Sequence, residues 1–271
     1  MQSRATSPIT VDVSSPPRPH GAGAPLLSII VPTFQEAQNL GLLVQDVTAA
    51  LDRVIPTWEM IIVDDNSQDG SIDVCRSLRA AGSPVRLIVR THTRGLSSAV
   101  MEGFRHARAP VLLVMDADLS HPAAAIPPLY FAILEGAEFA IGSRYVPGGG
   151  ADDRWSMYRW LNSKVASWLA KPLVSIGDPM AGYFAFPRSL LWRCEALNPI
   201  GYKIALEMLI KSRATRICEI PIQFRTRQFG KSKLKFKQKL LYLCHLWTLY
   251  QFKFFPFLRL RRHDQGIDQF C

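Results

Sequence analysis

The stretch Val111–Pro122, VLLVMDADLSHP, runs five apolar residues straight into two carboxylates, Asp116 and Asp118. An apolar run of this length, bounded by polar residues, is the pattern of a buried strand. Ending such a strand on paired negative charge is costly unless the charge has a partner. The same arrangement recurs upstream. LLSIIVPTF (Leu26–Phe34) leads to Glu36, and WEMIIVDDNSQDGS places Asp64 and Asp65 at the end of another apolar run.

Between these runs the apolar spacing changes to that of helices. Leu40, Leu43, Val44, Val47 and Leu51 share one helical face, and SIDVCRSLRAAG closes on Gly82. VRLIVR, GLSSAVMEGFRHA, the segment around Pro127–Glu135 and EFAIGSRY continue the alternation. Continuous apolar strands alternating with helices predict an α/β fold, a mostly parallel sheet covered on both faces. Ligands of such sheets bind beyond the carboxyl ends of the strands, and three strand ends here carry acids. Beyond Gly148 the expectation is a loop (VPGGGADDRW), a helix (MYRWLNSKVASWLAKPLV), a turn with a short strand and helix (DPMAGYFAFPRSLL), then a helix (IALEMLIKSRAT) and a strand (RICEIPIQF). A basic loop, RTRQFGKSKLKFK, opens a final aromatic helix that stops at Pro256.

The 271 residues suffice for one sizeable domain. Five scattered cysteines without a C-x-x-C pair argue against a disulfide framework or zinc site and fit a reducing compartment. Residues 1–25, rich in Pro, Ser and Gly and without an apolar signal core, read as a disordered tail. The formal charge of +10 is local: eleven of the 32 Lys and Arg residues lie between Arg225 and Arg262, where there is no Asp or Glu. That segment suits an anionic membrane surface or nucleic acid. Its aromatic content, Tyr242, Trp247, Tyr250 and several phenylalanines, favours the membrane. Before Lys253 its apolar stretch is shorter than the roughly 20 residues a spanning helix needs. The expectation is therefore a helix lying in the interface, with those aromatics buried in lipid, or one packed on its own domain.

Two carboxylates in a D-x-D turn suit a hard divalent cation. Magnesium and manganese take one or two protein carboxylates and complete their shell with phosphate oxygens and water. The alternative is a pair of solvated acids at the next helix N-terminus. Four segments in this order, IIVPTFQE, IIVDDNSQDGS, VMDADLSHP and IGSRYVPGGG, resemble the inverting nucleotide-sugar glycosyltransferases of family 2, which have the GT-A fold. RTHTRGLSSAVMEGF, DPMAGYFAF, EIPIQFRTRQFGKSKL and the pair Arg159/Ser163 look most like the dolichol-phosphate (polyprenol-phosphate) mannose synthases.

The resemblance implies a glycosyltransferase domain over 26–234 and a membrane-interface segment over 235–271. It places Pro32, Phe34, Glu36, Val63 and Asp65 around the nucleotide, and Asp116, Ala117 and Asp118 at the nucleotide, metal and diphosphate. Relatives often carry Gln where this chain has Ser120, whose shorter hydroxyl is a weaker metal ligand. Arg144 matches an active-site arginine, Arg159 and Ser163 the pair that receives the acceptor phosphate, and Arg227 and Lys233 the loop over the donor diphosphate. The implied reaction is inverting mannose transfer from GDP-mannose to a polyprenyl phosphate, dependent on Mg²⁺ or Mn²⁺. It would take place at the cytoplasmic side of a membrane, without nucleic acid and with no sequence signal for oligomeric state. UDP-glucose as donor keeps the same chemistry, and a non-enzymatic basic nucleic-acid or membrane-binding protein is the reading from another class. Asp64 is expected to stabilise its turn, and His121 to be a structural hydrogen-bonder.

Overall fold

The computed structural model describes residues 23–92, 94–152, 157–194, 197–198, 200–227 and 236–255, with the side chains of 157–163 and 236–239 excepted. Most of the N-terminal tail, Lys233 and the end of the basic loop therefore lie outside the described residues.

The chain alternates as its apolar spacing predicts. In order come β1 (Leu27–Thr33), α1 (Ala37–Leu51), β2 (Trp58–Asp64), α2 (Ser71–Ala80), β3 (Val85–Val89), α3 (Leu96–His106), β4 (Val111–Val114), α4 (Ile126–Leu134) and β5 (Phe139–Ser143). The second half adds β6 (Gly150–Ala151), α5 (Met157–Ala170), β7 (Phe184–Pro187), α6 (Ile204–Ser212), β8 (Ile217–Pro221), β9 (Gln223–Phe224) and α7 (Phe236–Phe254).

Seven strands form one sheet in the order β3-β2-β1-β4-β7-β5-β8. All neighbours are parallel except at β7, which runs antiparallel to both β4 and β5. Because β1, β2 and β4 are parallel, Phe34, Asp65 and Asp116 emerge at the same edge. Alternate residues of β1 serve the two faces. Leu27, Ile29 and Val31 pack with Leu40, Leu43 and Val47 of α1, Cys75 of α2 and Leu129 of α4. Ile30 packs with Val100 and Phe104 of α3 and Met208 of α6. The sheet is thus buried on both sides, and its strands need no polar alternation.

Two expectations change in the second half. The strand expected across RICEIPIQF is broken after Pro221, and its end, β9, pairs with β6 in a separate two-stranded ribbon. The glycine-rich segment before α5 is thereby tied to the chain leading to Arg227. The antiparallel β7 is held in place by aromatic packing: Phe184 and Phe186 are fully buried and stack on Phe139 at 5.3 and 5.8 Å.

Helix α7 packs on the domain. Tyr242, Leu246 and Leu249 share a core with Ala170 and Leu173 at the end of α5 and with Leu206 and Ile210 of α6. The Tyr242 and Tyr250 hydroxyls donate to the carbonyls of Ala166 and Leu169, each at 2.8 Å. This corrects the expectation that both tyrosines enter lipid: their polar tips are satisfied inside the protein. The outer face keeps Leu240, Leu243 and Trp247 exposed, and Trp168 of α5 is exposed as well. Among the described residues no helix is long and apolar enough to cross a membrane.

Candidate active site

The D-x-D turn is built on strain and burial. Ala117 and Leu119 point into the core, and Leu119 takes φ 62, a left-handed conformation that costs a non-glycine residue about 1–2 kcal/mol. The payoff is orientation. The Ser120 N–H and hydroxyl both donate to Asp118 Oδ1, at 3.1 and 2.5 Å. Asp118 Oδ2 faces Arg227 Nε at 2.6 Å. Ser120 is completely buried, so its hydroxyl orients Asp118. Ser120 stands at the position matching a metal contact in relatives, and here its hydroxyl is spent on Asp118, in keeping with the weaker ligand its residue type implies.

Asp116 is the more open carboxylate, with 32% of its side chain exposed. Its backbone N–H donates to His121 Nδ1 at 3.0 Å, which leaves the proton of a neutral ring on Nε2, 4.0 Å from Asp116 Oδ2. His121 stacks on Tyr183 at 4.8 Å. Burial pushes the His121 pKa down against the opposing pull of Asp116 and Asp118. Burial likewise raises Asp116, with His121 opposing and Asp118 adding to the rise. A carboxylate whose charge is disfavoured beside a second carboxylate is poised for a cation. Asp116 and Asp118 supply the hard oxygens that Mg²⁺ or Mn²⁺ requires. No cluster of three His, Cys, Asp or Glu occurs among the described residues, so the remaining ligands would be phosphate and water.

At the end of β2, Val63 is fully buried in the α3-side core, so only its backbone could face a ligand. Asp65 Oδ1 accepts from Arg90 Nε at 2.8 Å and also from Arg90 Nη2, while Oδ2 accepts the Gly95 N–H at 2.8 Å. Asp65 thus holds the β3–α3 loop, and that loop lays the Arg94 guanidinium over the Phe34 ring at 5.1 Å. Asp64 binds the Ser67 N–H and hydroxyl, both at 2.7 Å, and serves the turn. Glu36 sits at the N-terminus of α1 and accepts from Asn39 Nδ2 at 2.6 Å. Pro32 is half-buried beside Val63 in the parallel register.

On the opposite side, Arg144 is gripped by Asp178, with Nε–Oδ2 at 2.6 Å and Nη2–Oδ1 at 2.8 Å. Glu219 braces this pair from β8, accepting the N–H groups of Gly177 (2.7 Å) and Asp178 (3.2 Å). Arg159 and Ser163 lie one turn apart on α5, but their side chains are outside the described residues. Lys203, just before α6, donates to the Met180 carbonyl at 2.6 Å. Asp178, Glu219, Arg90 and Lys203 are absent from the residues expected on sequence. Asp178 stands in the quoted DPMAGYFAF, but no local pattern marks its partner 34 residues away.

The strand ends thus gather paired acids and arginines, Arg227 on Asp118 and Arg144 on Asp178, a set of side chains suited to phosphates. The glycosyl transferase family 2 model matches residues 28–194, and the chain belongs to that family. Among solved structures it resembles glucosyl-3-phosphoglycerate synthase from Mycobacterium tuberculosis, crystallised with Mn²⁺, UDP and glucosyl-3-phosphoglycerate, with TM-score 0.61 and 16% identity over 91% of this chain and 88% of that one. At this identity the likeness shows the GT-A fold alone. The relatives closer in sequence narrow the group to the dolichol-phosphate mannosyltransferases. The chain is 42% identical to that of Mycosarcoma maydis (86% of this chain, 82% of that one) and 43% identical to that of Saccharomyces cerevisiae (84% and 88%). It is 34% identical to the polyprenol monophosphomannose synthase of Mycolicibacterium smegmatis, over 76% of this chain and 80% of that one.

Proposed function

We propose that this protein transfers mannose from GDP-mannose to a polyprenyl phosphate, with inversion at the anomeric carbon. The observation that carries the proposal is that Asp116, Asp118 with Arg227 on it at 2.6 Å, and Arg144 gather at the carboxyl edge of the sheet.

Pro32, Phe34, Glu36, the Val63 backbone and the Asp65-held loop take the nucleoside. Asp116 and Asp118 hold Mg²⁺ or Mn²⁺, which when bound offsets the charge of the donor diphosphate. Arg227 lies within reach of the same phosphates, and Lys233 is assigned to that loop with it. Departure of a nucleoside diphosphate concentrates negative charge where Arg227 stands, and a fixed cation there favours it.

The acceptor needs cations more than it needs a base. A phosphomonoester with a second pKa of about 6 arrives largely as a dianion and is already nucleophilic. His121 Nδ1 is engaged by the Asp116 N–H, and burial keeps the ring neutral, so it is not poised to take a proton from an acceptor. Arg144, held in a fixed plane by Asp178, suits a phosphate, and Arg159 and Ser163 on α5 complete the acceptor side. The exposed Leu240, Leu243 and Trp247 of α7, with exposed Trp168 of α5, would rest on the cytoplasmic surface of the membrane that holds the lipid.

A matched pair of acceptors tests this chemistry. With GDP-mannose and Mn²⁺, polyprenyl phosphate should accept mannose and the corresponding free polyprenol should not. Equal transfer to the alcohol would contradict it, because the site then supplies a base that the proposal denies.

A further inference from the structure

Lys203 brings a cation to the loop that carries Asp178 and Met180, and none of the assigned roles uses it. Ile204, Ala205 and Met208 anchor α6 in the core directly after it, so its backbone is fixed. Its ammonium lies 4.8 Å from the Tyr202 ring centroid and donates to the Met180 carbonyl at 2.6 Å. An ammonium has three N–H donors, and this is the one hydrogen bond recorded for Nζ among the described residues.

The electrostatic surroundings are unbalanced. Burial pushes the Lys203 pKa down to about 8, Arg144 adds to that, and Asp178 and Asp116 oppose it. Of these two acids, Asp178 is already bound twice by Arg144, and Asp116 faces the position assigned to the divalent cation. Arg144 has its carboxylate; among the described residues Lys203 has a carbonyl and a ring face. Among the described residues no anion bonds the lysine, and the loop it bonds lies against both sides of the site: the Met180 N–H donates to Asp178 Oδ1 at 3.3 Å, and a Cβ on Gly182 would lie 4.0 Å from Asp116 Oδ2.

We propose that Lys203 is a catalytic residue that binds the acceptor phosphate, donating from Nζ to a non-bridging oxygen while another oxygen attacks. The role presupposes the transfer to a phosphomonoester proposed for this site. In that step a phosphate oxygen forms the bond to the anomeric carbon as the bond from that carbon to the donor β-phosphate oxygen breaks. The electron pair leaves on GDP, the acceptor changes from dianion to monoanionic diester, and no proton moves. Lys203 holds the incoming dianion against the repulsion of the donor diphosphate.

Lys203→Gln and Lys203→Arg test it. Gln keeps a donor for the Met180 carbonyl but removes the charge, and Arg keeps the charge. Steady-state rates with farnesyl phosphate and GDP-mannose, and calorimetric titration of GDP with Mn²⁺, separate the two substrates. For Lys203→Gln the KM for farnesyl phosphate should rise about tenfold and kcat fall on the order of 10²-fold, while GDP affinity stays within about threefold. Lys203→Arg should recover at least part of both. Unchanged acceptor kinetics in Lys203→Gln overturns the assignment. So does a loss of GDP affinity matching the loss of transfer, or a lowered melting temperature with unchanged KM and kcat, which marks a structural lysine. Wild-type protein that fails to transfer mannose to farnesyl phosphate at all would instead refute the reaction itself.

Discussion

Arg227 Nε stands 2.6 Å from Asp118 Oδ2, so a cation assigned to the donor diphosphate and a carboxylate assigned to the metal satisfy each other directly. Asp118 is buried, and removing one member of a buried pair leaves the other uncompensated. The two residues are therefore coupled in the free protein and should divide between metal and phosphate when the donor enters. Asp118→Asn should lower kcat/KM by about 10³-fold or more, and Arg227→Met by about 10²-fold. In Asp118→Asn the half-saturating Mn²⁺ concentration should also rise. Unchanged Mn²⁺ dependence in that variant would place the metal elsewhere.

On this account His121, stacked on Tyr183, acts on Asp116 through a backbone hydrogen bond and not by proton transfer. His121→Asn, which can still accept the Asp116 N–H, should retain transfer within about tenfold. His121→Leu leaves that N–H unpaired and should cost about 10²-fold in kcat/KM, with weaker Mn²⁺ activation. Equal, severe loss in both variants would indicate that the ring itself takes part in the chemistry.

Gly103 lies where α3 touches the sheet. A Cβ there would meet Ile30 Cγ2 at 2.4 Å, and Ile30 is fully buried in β1. The helix would gain about 1 kcal/mol from Ala, but overpacking costs typically about 1–3 kcal/mol, and the pinned isoleucine cannot yield cheaply. Gly103→Ala should lower the urea midpoint without changing the slope, as read by circular dichroism. A raised midpoint would mean that the helix can shift at little cost.

Glu59 carries a pH signature. Burial alone would raise its pKa, but bonds from Arg86, Ser28 and Arg108 outweigh burial and hold it below the usual 4.5. A carboxylate depressed by folding adds stability above its unfolded pKa and loses it as pH falls through the folded value. Wild-type stability should therefore fall below about pH 4.5, and Glu59→Gln should be less stable at neutral pH with a shallower acid limb. Parallel acid limbs in the two proteins would show that Glu59 is not among the linked groups.

The outer face of α7 predicts membrane contact. Trp247, 62% exposed, and Leu243 should anchor the protein to vesicles containing anionic lipid. A Leu243→Ser, Trp247→Ser variant should lose co-sedimentation while keeping its melting temperature. Undiminished sedimentation would move the contact away from this helix.

Much of this site was legible because its signals are local. An apolar run that stops on acids is visible within a dozen residues, and the three such ends needed only a parallel sheet to meet. The short strand is legible in FAFP but its antiparallel direction is not, since alternating aromatics carry no sign of direction and its neighbour Phe139 is far away in sequence. Asp178 and Lys203 were missed for the same reason: each acquires its meaning from Arg144 or Met180, brought near only by the fold. Tyr242 and Tyr250 were assigned to lipid because α7 is apolar on two faces, and periodicity does not tell which face meets α5 and α6. Ser120 draws attention by its place in the D-x-D-x-S segment, whereas its burial and its bond to Asp118 make it a support.

The central claim is most directly tested by incubating the purified protein with Mn²⁺, polyprenyl phosphate and a panel of sugar-labelled GDP- and UDP-hexoses, and counting label in the lipid phase. Label should enter the lipid from GDP-mannose, as a β-linked mannosyl phosphate, and should cease when the metal is chelated. Label that enters from UDP-glucose in preference to GDP-mannose, or that stays in the aqueous phase with every donor, would contradict it.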